Sequence, residues 1–279
     1  MTDTTTTLSA ASAEAIEAGF MSAYVTGAPA ANGAAVTRIG GGVVLAMRHD
    51  TAGYWNKALG FTEPLTARLV DEIIDFYRAH GVTRATLQVR PDVTPDDWER
   101  ICRVRGIADS GGRIVKLSCR IEETTPGNPT DLDIAPVTAA DAEEWAGVVL
   151  DAFGFPHEGQ LEMFAASAGD PCCQPYAAWA TDPATGERRI VAGANMYLAG
   201  DVAALNAGAT HAGFRGRGAQ AALIDARIEA ARLAGCRWVV AETSWSDEQP
   251  RHASLNNMRR AGLRPNYIRP NWRWTAPAA

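Results

Sequence analysis

The chain has no long hydrophobic run, no excess of positive charge and few cysteines, and each shortage removes a class of protein. Its longest apolar stretches, such as Val43-Val44-Leu45-Ala46-Met47, fall far short of the ~20 residues that a membrane-spanning helix needs. No membrane association is expected. No Lys or Arg precedes Arg38, so the basic region of a secretory leader is missing. The formal net charge of −6 argues against a general nucleic-acid binder, which would carry a basic patch. Five cysteines (Cys102, Cys119, Cys172, Cys173 and Cys236) are odd in number, irregularly spaced and without a CxxC pair. That pattern excludes a disulfide framework and a cysteine zinc site. It fits reduced thiols in a cytoplasmic protein without a metal.

What is present fits two cores. At 279 residues, 47% hydrophobic and 21% charged, the chain exceeds the usual single-domain length. Residues 1–34 are rich in Thr, Ala, Ser and Gly and hold one short helix at 12–21, with no long core-forming pattern. A strand at 42–47 precedes a helix at 63–80, with Thr62 as N-cap and Gly81 as stop. Leu65, Leu69, Ile73, Phe76 and Tyr77 give that helix an apolar face. Strand 85–89, helix 94–106 and strand 113–121 follow.

A Pro/Gly/Thr-rich linker at 123–130 separates expected domains at 1–125 and 130–279. Beyond it come a strand at 132–135, a helix to 152 with Thr138 and Asp141 as a capping box, and a helix at 158–168. Strands at 176–180, 190–197 and 202–209, helix 218–234, strand 237–242, helix 252–261 and strand 267–274 complete the chain. Strand–loop–helix–strand–helix–strand thus occurs once in each half, which suggests two copies of one α/β architecture.

The sharpest local signal is Arg215-Gly216-Arg217-Gly218-Ala219-Gln220, between a predicted strand and a predicted helix. Glycines allow a tight turn and a close approach of backbone N–H groups to a ligand. The helix dipole favours a phosphate there, and Arg215 and Arg217 add charge that can pair with it. A nucleotide P-loop would end in Gly-Lys-Ser/Thr, which is not found. Gly216-x-Gly218-x-x-Ala221 has the letters of a dinucleotide fingerprint but lies late in the chain.

The turn resembles the Arg/Gln-x-x-Gly-x-Gly/Ala pyrophosphate loop of the GNAT superfamily of acyl-CoA N-acyltransferases, with Gln220 departing from the last position. Trp238 to Thr243 resembles the fifth strand of that family. Ser254-Leu255-Asn256-Asn257-Met258-Arg259-Arg260-Ala261-Gly262 resembles the fourth helix of its tandem members. The resemblance implies two GNAT-like α/β domains, each a mixed, mostly antiparallel sheet flanked by helices. It implies acetyl-CoA or another acyl-CoA as co-substrate in the C-terminal domain. The N-terminal domain is degenerate, since Leu59-Gly60-Phe61-Thr62-Glu63-Pro64 lacks the turn and Glu63 would repel a pyrophosphate.

By the same resemblance, Ala209 and Thr210 hold the pantetheine and acyl carbonyl, Arg215 to Gln220 hold the pyrophosphate, and Asn257 contacts the CoA. Met258 stands where many members place an acidic Tyr and has no proton to give. Glu242, at a strand end, is the expected general base, and Tyr267 a second acid/base candidate. Phe153, Phe155 and His157 fall where an acceptor pocket is often found. The implied reaction is acetyl transfer to a small-molecule amine. Two other readings stay open: a CoA-binding sensor without turnover, and a transferase using a longer or carrier-bound acyl donor.

Overall fold

The computed structural model describes residues 8–246 and 252–277. The first half runs α1 (Ala10–Thr26), β1 (Ala34–Ile39), β2 (Gly42–Met47), β3 (Lys57–Leu59), α2 (Ala67–Ala79), β4 (Arg84–Gln88), α3 (Trp98–Arg105) and β5 (Ile107–Arg120). The second runs β6 (Asp133–Pro136), α4 (Ala142–Phe153), α5 (Leu161–Ala166), β7 (Cys173–Thr181), β8 (Arg188–Ala199) and β9 (Val202–Thr210). It ends with α6 (Ala219–Leu233), β10 (Trp238–Trp245), α7 (Ala253–Arg260) and β11 (Arg264–Thr275). No helix among the described residues is long and apolar enough to cross a membrane.

The eleven strands of the described residues join one sheet, in the order β1-β2-β3-β4-β11-β5-β10-β9-β8-β7-β6. Two pairs are parallel, β3 with β4 and β9 with β10, and the rest are antiparallel. About the β11–β5 pair, β4, β3, β2 and β1 on one side answer to β10, β9, β8 and β7 on the other, and β6 is an added edge strand. The last strand of each half is exchanged into the other: β11 lies between β4 and β5, and β5 lies between β10 and β11. The repeated unit seen in the sequence is therefore β3-α2-β4-α3-β5 against β9-α6-β10-α7-β11, and the two halves share a sheet.

Alternation along the strands sends side chains to two apolar layers. On one face α1, α4 and α5 pack on Val43, Leu45, Ala204 and Val240. On the other, α2 and α3 cover the first half around Leu69, Ile73 and Tyr77, and α6 and α7 cover the second around Ile224, Ile228 and Leu255. Each such fully buried aliphatic or aromatic side chain contributes about 1.5–3 kcal/mol.

Three local details differ from expectation. Helix α2 starts after Thr66, whose Oγ1 accepts from the Leu69 N–H, and not at Thr62. The cause is tertiary: Leu65 is buried and its N–H donates to the Val93 carbonyl, which holds residues 63–65 out of the helix. Thr138 Oγ1 does bond Asp141 Oδ2 at 2.6 Å, but α4 begins only at Ala142, so the pair stands ahead of the helix. The N-terminal helix is longer than expected and belongs to the core, with Ile16, Phe20, Met21 and Tyr24 buried.

Candidate functional site

The parallel pair β9–β10 opens as it runs. Val202 to Leu205 pair with Trp238 to Ala241, and there the pairing stops. Strand β9 swells at that point: its register with β8 shifts between Asn195↔Asn206 and Gly193↔Ala209, which inserts one extra residue. Such a bulge leaves a residue out of the ladder and re-aims its neighbours. Ala207 within it has φ of 52°, the one positive φ at a non-glycine residue among the described residues. Strained backbone of this kind persists only where the surroundings hold it in place.

The surroundings here are Arg227 of α6. Its Nη1 donates to the carbonyls of Asn195 (2.8 Å) and Asn206 (3.2 Å), and its Nε to Leu223 O (2.8 Å). The side chain is 2% exposed, and burial pulls its guanidinium down to about 9. Above it, Asn195 Nδ2 donates to the Tyr24 hydroxyl (2.8 Å), which donates to Asn206 Oδ1 (3.2 Å).

Through the gap between β9 and β10 runs a cleft of about 360 Å³. Leu205 to Gly208 and Glu242 to Ser244 form its strand walls. Gln220, Ile224, Ser254 and Met258 line it from the α6–α7 face. Phe20 and Tyr24 of α1 line it from the opposite face, with Tyr54, Trp55, Phe155 and Phe164. The cleft thus pierces the sheet and is reachable from both layers.

On the α6 side lies the glycine turn. Gly216 and Gly218 have φ of 83° and 81°, in the left-handed region that a side chain disfavours. Gly218 is the N-cap of α6 and supplies no capping side chain. The helix accordingly begins with unused N–H donors. The symmetry-related α2 differs, because the Thr66 hydroxyl closes its start. Arg215 folds back, its Nε donating to Thr210 O at 3.3 Å. Arg217 pairs with Asp131, an exposed contact of little energetic weight. Buried Ala219 opens the helix. Gln220 Nε2 donates to Ser254 Oγ (3.3 Å), and Asn257 Nδ2 donates to Gln220 Oε1 (3.3 Å), which joins the turn to α7.

On the α1 side lies a buried ion cluster. Glu242, Lys116 and Tyr267 are register partners across β10, β5 and β11. Lys116, wholly buried, binds Glu17 of α1 at 2.5 Å and also Glu242. Arg269 binds Glu14 and Glu17, each at 2.5 Å, and its Nη2 also donates to Gln88. Two cations therefore face three carboxylates. Glu17, held by both cations against the opposing effect of burial, sits down at about 2. Glu242, at the cleft with its side chain 21% exposed, is left with the excess negative charge. Burial and the neighbouring Glu17 push its carboxyl up to about 7, against the pull of Lys116.

The expected site residues are brought together unevenly. Glu242 reaches the cleft. Tyr267 does not line it: its hydroxyl donates to Glu14 at 2.6 Å, and burial raises its pKa far beyond the range of an acid/base group. Ala209 and Thr210 remain paired with Gly193 and Ala192 of β8, and the bulge brings Ala207 and Gly208 to the cleft in their place. Phe153 and Phe155 line the cleft, whereas His157 bonds Asp151 at 2.8 Å. Sequence reasoning missed Lys116, Arg227, Ser254 and the rings from α1 and residues 54–55. A Lys inside the apolar run Val115-Lys116-Leu117 was the one available signal.

No family model and no curated protein matches the sequence. Solved structures do match. A GCN5-related N-acetyltransferase from Kribbella flavida superposes with a TM-score of 0.60 at 17% identity, over 94% of this chain and 96% of its own. A second, from Sphaerobacter thermophilus, gives 0.58 at 16% identity, over 88% and 77%. A tandem GNAT protein from the clavulanic acid biosynthesis pathway gives 0.57 at 16% identity, over 88% and 82%.

The chain has the tandem GNAT fold. In the GNAT frame the two parallel pairs are equivalent places in the two halves, and they differ in what fills them. Beside β9–β10 the cleft is open; beside β3–β4, α1 packs on Gly60, and Glu14 and Gln88 close on Arg269. Among the described residues, only the C-terminal half pairs a helix start without a side-chain cap with this cleft.

Proposed function

We propose that the protein transfers an acyl group from acetyl-CoA, or another acyl-CoA, to the nitrogen of a small-molecule amine. The observation that carries this reading is the uncapped start of α6, with left-handed Gly216 and Gly218, opening onto the gap between β9 and β10. Backbone N–H groups there suit a pyrophosphate, and the gap suits the pantetheine arm. Residues 130–279 would supply the donor site, with Arg215 to Gln220 on the phosphates and Asn257 supporting Gln220. Residues 1–125 would supply one wall of the acceptor site.

The amine attacks the thioester carbonyl as the neutral base, so a C–N bond forms and the C–S bond breaks. Glu242, as the carboxylate, first takes a proton from the bound ammonium and so releases the neutral amine for attack. The bulge at Ala207 and Gly208 offers fixed backbone dipoles to the developing oxyanion. Ser254 accepts from Gln220 and so keeps its own O–H to hydrogen-bond the departing thiolate, which takes up the second proton that the nitrogen loses; Met258 has no such donor. That methionine favours one second reading, a CoA-binding sensor without turnover. Acetyl-CoA supplied with an amine panel separates the two, because a sensor releases no free CoA.

Acetyl-CoA should raise the melting temperature, since a ligand at one hundred times its Kd stabilises the folded state by about 2.7 kcal/mol. Gly218→Val should abolish the shift by placing a side chain on the turn. Arg215→Glu, which leaves the backbone free of strain, should weaken it. An undiminished shift in both folded variants would remove the donor site from this turn.

A further inference from the structure

The acceptor side of the cleft has a composition of its own. Tyr24, Trp55 and Phe164 form a mutually packed triangle, with ring centroids 4.9 to 5.9 Å apart. Tyr54 continues it to Phe155 (5.3 Å), and Phe155 to Phe153 (5.8 Å). The six rings are one continuous surface, built from four separate segments of the chain. At its outer end Phe153 is 48% exposed and Tyr54 41% exposed, among the few large apolar side chains left to solvent. Glu242 lines the same cleft and is the sole carboxylate among the described residues that do. Of the cations beside the cleft, Arg227 is committed to the carbonyls of the bulge, and Lys57 lies over the Tyr54 ring, 3.2 Å from its centroid.

A polyhydroxylated acceptor would leave its hydroxyls unpaired against these rings, and a polycationic one would find a single carboxylate in the cleft to pair its several charges. A flat apolar body would gain by offset or edge-on ring contact, while a single ammonium at its end would meet Glu242. Resting on the transfer reading above, we infer that the acceptor is an arylalkylamine: one primary amine on a short chain attached to a planar aromatic body. The aromatic body lies along Tyr54, Phe153 and Phe155, and the nitrogen points to Glu242 and the gap between β9 and β10.

The test uses the full-length protein with acetyl-CoA and two acceptors, 2-phenylethylamine and the aliphatic diamine putrescine, with free CoA as the readout. The aromatic amine should have a kcat/KM at least tenfold higher. Tyr54→Ala and Phe153→Ala, both at exposed positions and so compatible with folding, should each raise its KM by about 2–10-fold, the value of one ring contact, with kcat little changed. Equal or better use of putrescine, or unchanged KM in both variants, would overturn the acceptor assignment and leave acyl transfer standing. Calorimetric binding of 2-phenylethylamine to the CoA-loaded protein, weakened in the same variants but without turnover, would support the acceptor pocket and sink the transfer reading. Absence of both binding and turnover for the aromatic amine would overturn the inference.

Discussion

Arg269→Met is expected to destabilise the protein by about 3–5 kcal/mol, the usual result of removing one partner from a buried ion pair. Arg269 is wholly buried on β11, and its guanidinium is the main partner of Glu14 and Glu17, both nearly inaccessible. Methionine fills the volume but leaves Glu14 with the Tyr267 hydroxyl alone, and Glu17 with a Lys116 that Glu242 also claims. The effect should be large because the cluster ties α1 to strands of both halves.

Its pH dependence has a definite sign. The carboxyl of Glu17 is held at about 2 in the folded protein against an ordinary value of 4.5. Its stabilising contribution is therefore complete above pH 4.5 and is lost as the pH falls toward 2. The gap between wild type and Arg269→Met should narrow over that interval. Urea denaturation at pH 7 and at pH 3 measures it. Arg273→Met, an exposed position on the same strand, is the control and should stay within about 0.5 kcal/mol. A loss below about 1 kcal/mol for Arg269→Met would show that the cluster does not hold the halves together.

Much of the architecture was legible in the sequence because it is written in local periodicity. The face formed by Leu69, Ile73 and Tyr77 identifies α2, and the glycines at 216 and 218 mark the start of α6. Helix α1 was underestimated for a physical reason. It is buried nearly all round, so no polar stripe sets off an apolar one, and its two buried acids imitate a solvent face. The exchange of β5 and β11 was illegible because a strand's own residues record which of its faces is buried, not which strand lies beside it. The cleft was half legible. The glycine turn is contiguous in sequence and Phe153 and Phe155 were expected at a pocket, whereas Tyr24, Tyr54 and Phe164 join them from segments with no shared pattern. Lys116 and Glu17 define the environment of Glu242 from strands and helices of the other half, and only the fold brings them there.

That environment makes Glu242→Gln the sharpest test of the chemistry. The substitution keeps the shape of the side chain and should leave acetyl-CoA affinity nearly unchanged, because the glycine turn proposed to hold the donor lies on the opposite face of the sheet. Loss of a general base should slow transfer by roughly 10²–10⁴-fold at neutral pH. In the wild type the carboxylate is the active form, so the rate should climb as pH rises through about 7 and then level off. The variant should lack that limb. Its residual rate should instead climb by about tenfold per pH unit toward the acceptor's own pKa, since only the neutral amine attacks. The mutation also relieves the cluster of its third carboxylate, so the folded protein should be no less stable than wild type above pH 7, where Glu242 would otherwise be ionised next to Glu17. A slow but stable variant separates a chemical role from a structural one. Wild-type turnover in Glu242→Gln at neutral pH would defeat the base assignment, and holding the two substrates together in the gap between β9 and β10 would become the better account of catalysis.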